Sequence, residues 1–139
     1  MKRDLRSLNL NELEEEIVAL DEKKFRAIQI FDWMHNKLID DFSQMSNVPN
    51  SLIDKLSESF MIYPVKKEKM QESQIDGTRK YLFRLHDDEY VESVFMRYSH
   101  GNSVCVSSQV GCRMGCKFCA STIGGLVRNL TSEEILAEV

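Results

Sequence analysis

Hydrophobic period changes once along this chain, at Pro64, and that change constrains the fold more than any other feature. Before it, apolar residues recur at helical spacing. Leu10, Leu13, Ile17 and Leu20 form one stripe, and Asn9 with Glu12 makes a capping-box start for it. Phe25, Ile28, Phe31, Met34 and Leu38 form a second stripe within residues 23–39. Leu52, Ile53, Leu56 and Phe60 form a third over residues 49–60, with Pro49 placed in a first turn. After Pro64 the period drops to two. Residues 65–73, 78–85 and 89–98 read as strands, separated by the turn signals Asp76-Gly77 and His86-Asp87-Asp88. Residues 103–108 read as a further short strand. Residues 111–125 are a loop, and Thr131-Ser132-Glu133-Glu134 is a second capping box opening a helix.

The expected fold class is therefore α+β: a small N-terminal helical bundle over residues 1–62, an antiparallel β linker over 63–100, and over 101–139 the first β-loop-α unit of a partial (β/α) barrel. One such unit cannot bury its own apolar face, so the sequence reads as the front end of a longer protein.

Composition sharpens where the chemistry lies. The 139 residues carry 18 basic and 22 acidic side chains, a net charge of −4 that does not advertise a nucleic-acid binder. Yet residues 97–128 hold four basic residues and no acidic one, together with all four cysteines and most of the glycines. No apolar run approaches the roughly 18–20 residues needed to cross a bilayer, and MKRDLRSLNLNELEEE has no signal-peptide pattern. A cytoplasmic, reducing setting is expected, where disulfides are poor candidates.

Cys112, Cys116 and Cys119 form a C-x3-C-x2-C triplet. Three thiolates this close suit three corners of a cubane iron–sulfur cluster, leaving one iron open to a small-molecule ligand. Phe118 can shield such a group, and Arg113 and Lys117 can offset its charge. A zinc site using Cys105 or His100 as fourth ligand is the alternative, and would make the chain a non-catalytic RNA-binding module. In a third reading the cysteine segment is a disordered tail behind the helical part.

The triplet, with an aromatic before its third cysteine, resembles the radical S-adenosylmethionine signature. The longer run VCVSSQVGCRMGCKFCASTIGGLVRNLTSEEI resembles the RlmN-type adenine-C2 methyltransferases of ribosomal and transfer RNA, with the Cfr adenine-C8 enzymes as relatives. KKFRAIQIFDWMHNKLIDDFSQMSNVP resembles their accessory domain. The resemblance implies a [4Fe-4S] cluster on Cys112, Cys116 and Cys119, with S-adenosyl-L-methionine on the open iron. It also implies a methyl-cysteine intermediate, 23S rRNA and transfer RNA as substrates, an electron donor such as flavodoxin or ferredoxin, and a monomer. It further implies Glu92 as general base and Cys105 as a second thiol that pairs transiently with a cysteine outside this sequence.

The residues alone leave both roles open. Tyr90, Glu92, Val94, Met96 and Tyr98 share one strand face, so Glu92 is expected among apolar groups, where desolvation would tune it for proton abstraction; a solvated rim glutamate is the alternative. A lone cysteine such as Cys105 is ordinarily a small buried hydrophobe. The helical part is expected to grasp RNA rather than to catalyse, and these residues by themselves are expected to be inactive.

Overall fold

The structure, a computed structural model, describes residues 2–139. It divides into two compact units with the boundary between Pro64 and Val65, each described by itself.

The first unit is helical. Strand β1 (Arg3–Asp4) leads through a 3-10 turn at Leu5–Ser7 to helix α1 (Leu10–Ala19). Asn9 caps α1 in both directions. Its side-chain oxygen accepts from the Glu12 amide at 3.0 Å, and the Glu12 carboxylate accepts from the Asn9 amide at 2.8 Å. Helix α2 (Phe25–His35) and helix α3 (Asn50–Ser59, with Pro49 at its cap) follow, and strand β2 (Phe60–Met61) pairs parallel with β1. Fourteen buried apolar residues make one core, with Leu5, Leu13, Ile17, Ala27, Ile30, Leu52 and Leu56 fully sealed. Asp4 is buried but fully served: it accepts from the Arg6 guanidinium at 2.8 Å and from the Tyr63 amide at 2.9 Å. That pair ties the start of the unit to its end.

Helix α2 corrects the expected inward set. It stops at His35 instead of reaching residue 39, and Leu38 takes a positive φ of 54° and is exposed. Phe25 and Ile28, expected inside, are about half exposed, whereas Ala27, Ile30 and Met34 are buried. Ala27, fully buried, is a core residue that a search for large apolar side chains passes over. Of the expected stripe, Met34 is buried and Phe31 packs against the core, while Phe25, Ile28 and Leu38 lie outside it. Phe31 and Trp33, partly buried, pack against the core.

The second unit is built on an antiparallel meander in the order β3 (Lys66–Glu72), β4 (Arg79–Arg84), β5 (Tyr90–Tyr98) and β6 (Gly101–Cys105). Strand β3 is exposed at every residue, and its Lys66, Lys67 and Lys69 suit an edge that must not pair with other chains. A bulge between Lys67 and Lys69 releases Glu68 to pair with Arg84 at 2.7 Å. Then come strand β7 (Gln109–Gly111), a loop with a 3-10 turn at Ala120–Thr122, strand β8 (Leu126–Asn129) and the short helix α4 (Ser132–Leu136).

Where a β-loop-α unit was expected, the loop is instead flanked by two strands, β7 and β8, paired antiparallel. Strand β8 lies just past the expected loop and was not anticipated, because four residues are too few for a period to emerge. The Thr131 capping box is present with both arms. A small core of Leu85, Val91, Val110 and Leu130 holds this unit. Arg128 pins α4 to the β4–β5 turn: it donates to Glu134 at 2.8 Å and to Asp87 at 2.7 Å. No helix among the described residues is long and apolar enough to cross a membrane.

Candidate functional site

The cysteine loop is tied at its base by a close backbone crossing. The Cys112 amide donates to the Gly125 carbonyl at 3.0 Å. That carbonyl presses on Gly111 so closely that a Cβ there would lie 2.0 Å from its oxygen, and Gly111 has a φ of 72°. Only glycine satisfies both conditions. Inside the loop the Cys119 amide donates to the Cys116 carbonyl at 3.1 Å. The Thr122 hydroxyl bridges back to the carbonyls of Cys116 at 3.2 Å and Cys119 at 2.9 Å. Thr122 was not singled out in the sequence, since a threonine near a turn has no fixed spacing signature.

All four cysteines are free thiols; Cys112, Cys116 and Cys119 are partly accessible and Cys105 is exposed. Among the described residues, no three His, Cys, Asp or Glu side chains converge closely enough to hold a metal ion. The loop therefore supplies three soft donors on a tied backbone without gathering their sulfurs to a point. That donor set fits an iron–sulfur cluster by its chemistry: three accessible thiols, no carboxylate in the loop, and Arg113 and Lys117 between them. His100 and Cys105, the zinc alternative's fourth ligands, belong to no such convergent group. Phe118 is 93% exposed, so it shields nothing here.

The sheet brings Glu92 and Cys105 to one face. Glu92 is opposite Leu82, and Cys105 is opposite Val94, two residues further along β5. A diagonal pair of this kind is separated by about 7–8 Å. The face is not the one buried. Val91 and Ser93 point into the unit's core, whereas the Glu92 side chain is 55% exposed and pairs with Lys80 at 3.0 Å. The expected desolvation of Glu92 is thus overturned: the alternation was correct, but Tyr90, Glu92 and Tyr98 line the open side of the sheet. Cys105 is equally no buried hydrophobe.

A cavity of about 340 Å³ joins this strand to the base of the loop, lined by Tyr90, Glu92, Ser107, Gln109, Gly111 and Ser121 among others. Its shape is maintained by Glu138, which accepts from the Ser107 amide at 2.9 Å and from the Ser93 hydroxyl. The Ser107 hydroxyl donates to the Glu92 carbonyl at 2.7 Å. Burial pushes the Glu138 carboxyl above the usual range, against those two hydrogen bonds. Neither Ser107 nor Glu138 was foreseen, because each acts through a contact distant in sequence.

Comparison with known proteins bears on the whole chain. Residues 3–62 match the family described as ribosomal RNA large subunit methyltransferase N-terminal domain. A protein of Lachnospira eligens named probable dual-specificity RNA methyltransferase RlmN is 54% identical over 98% of this chain and 39% of its own length. One of the same name from Lachnoclostridium phytofermentans is 53% identical over 99% of the chain and 39% of its own. The crystal structure of a radical SAM methyltransferase from Sphaerobacter thermophilus superposes with a TM-score of 0.86 at 39% identity, covering 98% of this chain and 40% of that one. The chain spans about two-fifths of the length of the curated relatives it matches, and it belongs to the RlmN family.

Proposed function

We propose that this chain is the cluster-bearing part of a radical S-adenosylmethionine methyltransferase that modifies carbon 2 of an adenosine in 23S rRNA and in transfer RNA. The observation that carries the reading is the tied loop: three accessible thiols at C-x3-C-x2-C spacing, closed at Gly111 and Gly125, beside a cavity that also contains Glu92. Cys112, Cys116 and Cys119 would hold a [4Fe-4S] cluster, leaving one iron for S-adenosylmethionine. When bound, that group supplies the electron that opens the sulfonium of the cofactor; the electron itself comes from a donor of the flavodoxin or ferredoxin kind.

The chain's own residues then have distinct tasks. Gly111 and Thr122 shape the loop. Glu92, paired with Lys80 and open to solvent, acts as the base that takes a proton from the modified base. Its neighbour on the same face, Cys105, is the exposed thiol available for the exchange that frees the RNA. The helical unit contributes RNA contacts. The setting is cytoplasmic and the working form a monomer. The 139 residues alone are inactive, since the methyl-carrying cysteine lies outside them.

The test is anaerobic reconstitution of the chain with iron and sulfide. The expected product binds close to four irons and four sulfides per chain, is brown, and changes its electron paramagnetic resonance when S-adenosylmethionine is added. Cys116→Ala loses the colour and the iron. Colourless protein holding stoichiometric zinc would overturn the reading in favour of a zinc-stabilised RNA-binding module.

A further inference from the structure

The open face of the four-stranded sheet extends well past Glu92, and its far end is built differently from the rest. At the β5–β6 turn the rings of Tyr98 and His100 stack with centroids 5.2 Å apart and planes 7° from parallel. Tyr98 is 51% exposed, and His100 is exposed beside it. The Tyr98 hydroxyl donates to the Met96 sulfur, two residues back along the strand, at 3.3 Å. A stacked aromatic pair left in solvent at a hairpin tip buries little apolar area, so it contributes little to the fold.

Tyr98 lies on the same face as Glu92 and Cys105, because alternation along β5 puts residues 90, 92, 94, 96 and 98 together. Six residues of strand separate Tyr98 from Glu92, roughly 20 Å at about 3.4 Å per residue. Partly covered Leu82, Val94 and Met96 floor the space between. The charge also suits a polyanion. On this face the register places Lys66, Lys69, Lys80 and Arg84, against Glu92, paired with Lys80, and Glu68, paired with Arg84.

Resting on the function proposed above, we infer that this face is the track for the single-stranded RNA flanking the modified adenosine, and that the Tyr98–His100 pair is a stacking platform for a base a few nucleotides from it. Sequence-tolerant stacking on aromatic rings within a positive groove is how single strands are commonly held. The target base sits at Glu92 and Cys105, the strand runs along β5, and the platform fixes its direction. A surface recognising a duplex would need only cations spaced to its phosphates, with no exposed ring pair.

The experiment titrates the 139-residue chain with a single-stranded RNA oligonucleotide carrying 2-aminopurine, reading fluorescence across a range of salt. The wild-type chain is expected to bind and quench the probe. Tyr98→Ala and His100→Ala should each weaken binding about 5- to 150-fold and abolish the quench, whereas Tyr98→Phe, which keeps the ring, should retain both. Lys80→Ala should reduce the salt slope by about one, while Tyr98→Ala should leave that slope unchanged. Binding by both alanine variants within two-fold of wild type overturns the inference, as does wild-type binding without quenching. A chain that binds no RNA overturns it too, yet leaves the cluster reading to stand or fall on the iron and sulfide content of the same samples. The His100→Ala variant lies in an exposed turn, so a fold defect in Tyr98→Ala cannot hide the answer.

Discussion

The two units use similar lengths of chain in opposite ways. The helical unit seals fourteen apolar residues into one core, while the β unit seals four. The first spends its sequence on burial and keeps its polar side chains as caps and clamps, such as Asn9 and Asp4. The second leaves most of its strand residues open or half covered and holds its loop by backbone crossings and polar ties. Chemistry needs accessible thiols and carboxylates, and a unit that buried them would lose them. The stability of the β unit should therefore depend on a few specific contacts, and that of the helical unit on many interchangeable ones.

The sharpest way to break that contrast is Gly111→Ala. A Cβ cannot coexist with the Gly125 carbonyl, and the positive φ adds strain. The expected result is a loss of several kcal/mol, on the order of the larger core truncations, with amide exchange rising across β7 and β8. Cluster retention should fall with it, and normal retention would mean that the crossing does not define the loop. Leu13→Ala is the counterpart in the helical unit. It should cost about 2–5 kcal/mol by urea unfolding while leaving iron content unchanged. Next in size is Asn9→Ala, which removes one arm of the α1 capping box and should cost about 1 kcal/mol.

The smallest effect is the response to acid, and it differs between the units. Burial, helped by the Arg6 charge, holds His35 below its usual value. Its contribution to stability is complete above about pH 6.5 and is lost as pH falls through the depressed folded value. His35→Gln should flatten that limb of the helical unit's pH profile. In the β unit, burial alone would raise Glu134, but hydrogen bonds from Arg128 and the Thr131 amide outweigh it and hold the carboxyl below its ordinary range. Its contribution is complete above about pH 4.3 and is lost as pH falls through the lower folded value. The helical unit should thus begin to weaken at higher pH than the α4 anchor.

Much of this architecture was legible from local pattern. The Asn9 and Thr131 capping boxes, the three helices and the hairpin turns follow from spacing over a few residues, where sequence neighbours are also spatial neighbours. The two misassigned faces share one cause. Alternation along β5 grouped Tyr90, Glu92 and Val94 correctly but could not say which side of the sheet meets the core, because that depends on Val110 and Leu130, residues far along the chain. The same holds for α2, where Ala27 rather than Phe25 faces inward.

The sequence by itself determined the donor set: three cysteines at fixed spacing, glycines around them, and no acid nearby, all of them properties of covalent order. Only the tertiary structure decided that Gly111 meets Gly125, that Ser107 and Glu138 brace the Glu92 strand, and that Glu92, Cys105 and Tyr98 look outward together. Those are contacts between residues far apart in the chain, and they are selected by how the whole unit buries its few apolar groups, a quantity that no local pattern contains.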